Sequence, residues 1–146
     1  MTEERFMAYY ISNPTATIPC IKPNNKFSTI GELYDLLNSI GWNEMTVYLK
    51  VQWDPALKCS GQCNSTALLV KEYFGGEIIN YPNPNGGAVK KGHCFNRING
   101  VDIDLTSDQF TPQLTGYSGL TKKANFGMQQ FSCERAAYIL KLKLGL

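Results

Sequence analysis

Between Thr29 and Gly41 the apolar residues Ile30, Leu33, Leu36, Leu37 and Ile40 return at intervals of three and four, the period of one helix face. Thr29 and Glu32 stand at capping-box spacing ahead of them and Gly41 breaks the run, so the pattern predicts a first amphipathic helix. The period then shortens: Val47, Leu49 and Val51 alternate with Thr46, Tyr48 and Lys50, which predicts a half-buried strand ending at Trp53-Asp54-Pro55. A loop, WDPALKCSGQ, leads into CNSTALLVKEYF, where Ala67, Leu68, Val70 and Phe74 offer an apolar face and Gly75-Gly76 a stop. Cys63 thus opens a second predicted helix. Glu77 to Asn80 is a short predicted strand, and YPNPNGGAVKKG is a connection fit to form the wall or lid of a cleft. After Asp108 the chain is Gly/Thr/Lys-rich until a closing helix with a basic end at 131–146. The first 27 residues, with Pro14, Pro19 and Pro23, read as an extended N-terminal arm.

HCFNRI and VDIDLT flank Asn99-Gly100, the dipeptide best suited to the positive φ angles of a two-residue hairpin turn. That turn fixes a register: Ile98 opposite Val101, Phe95 opposite Asp104 and His93 opposite Thr106. Alternation then puts His93 and Asp104 on one face, as diagonal neighbours within reach of a hydrogen bond. Asp102 shares the face but lies opposite Arg97, nearer the turn, so it pairs with Arg97 or stands as a solvated carboxylate on an open sheet.

At 146 residues the chain fits one domain, 1–146, of class α+β: a helix carrying Cys63 packed on an antiparallel sheet that contains the His93/Asp104 hairpin. A formal charge of +2, scattered along the chain, leaves no nucleic-acid footprint. The start, MTEERFMAYY, lacks the apolar core of a signal peptide, and no run approaches the roughly 20 apolar residues a bilayer requires. Neither a membrane nor a nucleic acid is an expected partner. Cys20, Cys59, Cys63, Cys94 and Cys133 are an odd number at irregular spacing, which predicts reduced thiols and a cytoplasmic setting.

A thiol at a helix start feels the helix dipole and unpaired N–H groups, and a nearby imidazolium lowers its pKa further. Cys63 is therefore the candidate nucleophile, His93, the only histidine, the candidate base, and Asp104 the group that fixes the base's tautomer. Gly61 permits a tight turn into the helix. The backbone N–H of Cys63 is one oxyanion donor, Gln62 or Gln52 supplies the second, and Trp53 lines the substrate cleft. The substrate is then an unidentified small molecule or peptide, and no cofactor is called for. Two blander readings stand beside this one. Cys59, Cys63, His93 and Cys94 are zinc-type ligands, but adjacent strand residues point to opposite faces, so His93 and Cys94 do not serve one ion without a bulge. A cysteine in an apolar segment is also, taken alone, most often a small core residue.

The segments GQCNSTALLVKEYFGGEI and GHCFNRINGVDIDLTSDQF resemble the YunG-like proteins, a family of small uncharacterised bacterial proteins with a Gly-Gln-Cys helix start, a Gly-Gly helix end and a His-aromatic-Asn-Arg hairpin finishing in Asp-Leu-Thr. The likeness covers residues 52–110, the catalytic-type core. More distantly, the order of Cys63, His93 and Asp104 is similar to the papain-like and transglutaminase-like superfamily. That resemblance implies a papain-like fold and a thiol-dependent hydrolase or acyltransferase acting on an amide, ester or thioester, or a ligand-binding or regulatory domain on the same fold. Leu57 stands where a papain-type oxyanion glutamine would, about six residues ahead of the cysteine.

Overall fold

The computed structural model describes residues 8–47, 53–82, 84 and 92–146. Its framework follows from the turn at Asn99-Gly100, where both residues take positive φ (51° and 78°). In chain order the strands are β1 (Tyr10–Ile11), β2 (Glu77–Tyr81), β3 (His93–Ile98) and β4 (Val101–Asp104). They form one antiparallel sheet in the order β1-β4-β3-β2. The hairpin register agrees with the expectation: Ile98 faces Val101 and Arg97 faces Asp102. The predicted partnership of His93 with Thr106 does not form, because β4 ends at Asp104. The Thr106 N–H and hydroxyl both turn back to Asp104 Oδ1, each at 3.2 Å, and His93 pairs instead with Tyr81 of β2.

The helices are α1 (Ile30–Leu36), α2 (Cys63–Phe74) and α3 (Gln130–Leu144). The capping box at Thr29 and Glu32 is closed in both directions, which sets the start of α1. After Leu36 that helix widens into one π-helical turn, Leu37–Gly41, ended by a bond from the Trp42 N–H to the Leu37 carbonyl at 2.9 Å. Trp42 then ties α1 to α2 through its indole N–H, which donates to Thr66 Oγ1 at 2.9 Å. Leu33, Leu37, Leu69, Val70, Ile98, Ile103, Leu140 and Leu144 fill the core between the helices and one sheet face. The strand expected over 47–51 lies outside the described residues, except Val47, which sits in a bend. Among the described residues of the arm, 8–27, β1 is the regular element, and it pairs with β4 so that Tyr10 lies opposite Asp104.

The other sheet face is covered too, which corrects the reading of Asp102 as a solvated carboxylate on an open sheet. Asp102 is buried, and its Oδ1 accepts from Arg97 Nε at 2.6 Å. The same guanidinium donates to the Leu120 carbonyl at 2.6 Å and the Tyr117 carbonyl at 3.0 Å. One arginine therefore clamps an aperiodic segment onto the sheet, where Leu114 and Tyr117 pack on Ile79 and Phe95. Farther on, the Asn80 N–H donates to the Lys122 carbonyl and the Ala124 N–H to the Ile78 carbonyl, satisfying the outer edge of β2.

The stop after α2 is steric as well as conformational. Gly76 has φ of 77°, and a Cβ there would stand 2.4 Å from the Arg97 carbonyl oxygen, a backbone atom that cannot step aside. Gly76→Ala is expected to destabilise the protein by at least about 2 kcal/mol, as a strained backbone position and an overlap together require. Urea unfolding measures this, and a loss below about half that figure would mean that the α2–β2 connection relaxes freely.

Candidate active site

Cys63 is the first residue of α2, reached through a turn in which Gly61 takes φ of 72° and donates its N–H to Gln109 Oε1 at 3.2 Å. As the first helical residue it has no intrahelical partner for its own N–H. α2 packs on the sheet face that carries Cys94 and Asn96, and Asn96 Nδ2 donates to the Ala67 carbonyl at 2.9 Å. His93 is the first residue of β3 and belongs to the opposite face. Helix start and strand start lie at the same end of the sheet, so the imidazole reaches the thiol around that end.

The expected base and acid are joined. His93 Nε2 donates to Asp104 Oδ2 at 2.6 Å, with both side chains buried. The carboxylate is held from all sides, since Tyr117 Oη donates to the same Oδ2 at 2.8 Å and Thr106 occupies Oδ1. The ring of Phe110 stands edge-on to the imidazole with centroids 4.6 Å apart. With Nε2 committed to Asp104, the free nitrogen is Nδ1, which is buried and has no hydrogen-bond partner.

Cys63 and His93 shift one another's protonation. Burial pulls the His93 pKa down, but the Asp104 charge and hydrogen bond outweigh it, and with a contribution from Cys63 lift it to about 10. The Cys63 thiol is held well below the ordinary thiol range, first by hydrogen bonding from Cys94, then, against the cost of burial, by the bond and charge of His93. His93 Nδ1 is nevertheless unpaired in hydrogen-bond geometry, and the Cys63 thiol sits on Asn64 Oδ1 at 3.0 Å. We therefore read the pair as neighbouring charges and not as an aligned hydrogen bond. As a thiolate, Cys63 needs a donor from Asn64, which the carboxamide supplies by turning its nitrogen toward the sulfur.

Of the remaining predicted residues, Gln62 is fully buried and faces away from this chemistry. Its Nε2 donates to the Asn43 carbonyl at 2.9 Å and its Oε1 accepts from Thr46 Oγ1 at 2.6 Å. It braces the loop after α1, so its expected role as an oxyanion donor is not what its hydrogen bonds serve. The Trp53 indole N–H is spent on the Lys58 carbonyl at 2.9 Å, and Gln52 lies outside the described residues. Among the described residues no group of three or more Cys, His, Asp or Glu side chains is placed to hold a metal ion.

A family model described as YunG protein matches residues 29–143, from the cap of α1 into the last turn of α3. The chain belongs to the YunG family. It is also 37% identical over 59 residues to a Bacillus subtilis strain 168 protein described as "Uncharacterized protein YunG". That match covers 40% of this chain and 47% of the relative, so the chain spans about half the length of the curated relative it matches. No solved structure matches the chain, and the wider likeness to papain-like and transglutaminase-like enzymes finds no support in these comparisons.

In this YunG protein two cavities approach the site. The larger, about 780 Å³, lies between β1 and residues 113–117 and reaches Tyr117 but not Cys63, His93 or Asp104. The smaller, about 160 Å³, is lined by Asn64, His93, Cys94 and Asn125 among others; it reaches the imidazole, and Cys63 is not part of its lining. Tyr117, Thr106, Phe110 and Asn64 are the site residues that sequence reasoning missed. Thr106 carried a signal, because an Asp side chain that accepts the N–H two residues on is a recurrent local turn. Tyr117 carried none, being one of eight tyrosines and lying in an aperiodic segment. Tyr117→Phe removes a buried donor to a carboxylate and is expected to cost about 1.5–3 kcal/mol of stability. Asp104 keeps its bond to His93, so thiol alkylation in this variant should slow only a few-fold. A loss of reactivity as large as that caused by removing Asp104 itself would make the tyrosine, not the carboxylate, the orienting group.

Proposed function

We propose that this protein is a thiol-dependent hydrolase or acyltransferase, acting on an amide, ester or thioester of a small molecule or peptide. The observation that carries the reading is the buried 2.6 Å bond from His93 Nε2 to Asp104, which leaves Nδ1 unpaired near a Cys63 thiol whose pKa is held well below the ordinary thiol range. That arrangement supplies a nucleophile, a base and a group that fixes the base's tautomer. Cys63 sulfur attacks the acyl carbon, and the helix-start N–H of Cys63 faces the developing oxyanion. His93, protonated at rest, gives its Nδ1 proton to the leaving group as the tetrahedral intermediate collapses to a thioacyl enzyme. It then takes a proton from the incoming water or amine. A papain-like arrangement of α2 against the hairpin accords with this sequence of steps.

A second reading, a ligand-binding or regulatory domain on the same fold, is favoured by burial. Cys63 is 8% exposed and His93 2%, with Leu68, Ala124 and Phe126 packed over the cluster that contains the sulfur. The two readings part in one experiment. Incubation with a panel of amide, ester and thioester acyl donors, followed by intact-mass measurement, should give a thioacyl adduct on wild type and none on Cys63→Ala. With iodoacetamide near neutral pH, Cys63 should react ahead of the other four cysteines. A Cys63 rate no faster than that of free cysteine would overturn the enzyme reading and leave the binding one.

A further inference from the structure

We propose that Cys63 and Cys94 are a reversible redox pair, which a hydroperoxide closes to a disulfide and a dithiol reopens, switching the nucleophile off and on. The inference rests on the reading of Cys63 as the reactive thiol, but its chemistry is independent of acyl transfer.

The geometry singles out Cys94 among four other thiols. Cys63 Sγ and Cys94 Sγ both lie against one atom of the Asn64 carboxamide, 3.0 and 3.6 Å away, and Cys94 Sγ also lies 3.5 Å from the Cys63 carbonyl oxygen. Two sulfurs that flank one atom need little more than side-chain rotation to meet. Cys133 is on the far side of the same carboxamide, where it accepts from Asn64 Nδ2 at 3.3 Å. Cys20 and Cys59 lie in the main core and its margin, outside the Cys63 cluster. All five cysteines are free. The pocket of about 160 Å³ is lined by Cys94, Asn64 and His93, and it has room for a molecule as small as hydrogen peroxide. The two protonation states also suit the division of labour. Cys94 is pushed well above the ordinary thiol range, first by its interaction with Cys63, while Cys63 is held well below that range.

In the first step the Cys63 thiolate attacks one peroxide oxygen and the O–O bond breaks. The departing oxygen takes the His93 proton and leaves as water or an alcohol, and Cys63 becomes a sulfenic acid. Cys94 sulfur then attacks Cys63 sulfur; the S–O bond breaks, and the hydroxide leaves as water with the Cys94 proton. Two thiols have given up two electrons and the hydroperoxide has gained them. Exchange with a dithiol returns both cysteines to the reduced form. The gain for the protein is protection, because a sulfenic acid without a neighbouring thiol proceeds to irreversible acids.

The test uses hydrogen peroxide on the whole chain, then alkylation of the remaining thiols and peptide mass mapping without reductant. Wild type is expected to lose two of its five alkylatable thiols, to yield one cross-linked pair containing Cys63 and Cys94, and to regain both thiols with dithiothreitol. Cys94→Ser and Cys94→Ala, each checked by circular dichroism, should yield no cross-link and should accumulate a Cys63 sulfenic acid captured by dimedone. Dimedone capture of Cys63 in wild type with Cys94 still free, a cross-link to Cys133, or no oxidation of Cys63 would each overturn the proposal. Rapid iodoacetamide labelling of Cys63 without a disulfide would sink the redox pair alone. Slow labelling would show that the thiolate reading had failed beneath it.

Discussion

Asp104→Asn is expected to slow iodoacetamide labelling of Cys63 at neutral pH by on the order of ten- to a hundredfold, with the secondary structure kept. The carboxylate accepts from His93 Nε2 and Tyr117 Oη through one oxygen and from Thr106 through the other. An asparagine preserves the Thr106 contacts if its oxygen takes the Oδ1 place. Its nitrogen then faces His93 and must donate, which forces the imidazole to accept at Nε2 and carry its proton on Nδ1, toward Cys63. That is the wrong tautomer for a base, and the charge that lifted His93 is gone as well. Cys63 loses its imidazolium neighbour and returns toward an ordinary thiol, of which only a few per cent is thiolate near pH 7. Asp102→Asn is a poor control, although it shares the strand and the charge change. Asp102 holds Arg97, Arg97 holds the Tyr117 carbonyl, and the Tyr117 hydroxyl touches Asp104. Asp108→Asn is the better one, because Asp108 is exposed and lies outside that chain of contacts. An unchanged rate in Asp104→Asn, or equal slowing by Asp108→Asn, would remove Asp104 from the site.

The contrast between those two controls marks the limit of what the sequence discloses. The hairpin was legible because Asn99-Gly100 fixes both turn and register, and register alone puts His93 and Asp104 on one face and Arg97 opposite Asp102. Whether that face is open or covered was not legible, since HPHP alternation and full burial differ only in what lies above. The cover here comes from residues with no period, held by backbone carbonyls that Arg97 bonds, and carbonyls leave no trace in a sequence. For the same reason the alternation that sets Cys94 on the face away from His93 does not tell what covers that face. It is the face on which α2 packs, so the strand residue that points away from His93 points toward the helix carrying Cys63. Gln62 shows the opposite error. Proximity to the nucleophile in sequence suggested chemistry, whereas the residue before a helix start points back into the loop that precedes it.

Stability should show a plateau in pH that ends near 9, where the unfolded thiol ionises, and should fall away on both sides of it. The His93 pKa is raised from 6.5 to about 10, so its contribution is fully present below 6.5 and is lost as pH rises through 10. The Cys63 pKa is depressed from 9.0, so its contribution is fully present above 9 and is lost as pH falls through the folded value. Below 9, and above both 6.5 and the folded Cys63 value, the two slopes cancel. There the folded pair is imidazolium and thiolate and the unfolded pair is neutral imidazole and thiol, so both states bind one proton. Below 6.5 the unfolded histidine gains a second proton, and acid destabilises. Above 9 the unfolded cysteine loses its proton while folded His93 keeps its own, and base destabilises. Cys59, whose burial pushes it up to about 12, adds to the alkaline fall, because the unfolded thiol ionises there first. Subtracting the profile of Cys63→Ser removes Cys59, which is common to both proteins, and isolates the pair below pH 9, where Cys94 keeps its proton folded and unfolded alike. The variant should lack the plateau and lose stability steadily as pH rises above 6.5, for as long as Asp104 alone keeps His93 protonated. Urea unfolding at intervals from pH 5 to 10 measures both profiles, and a wild-type slope through the neutral range equal to that of Cys63→Ser would show that Cys63 and His93 do not rest as an ion pair.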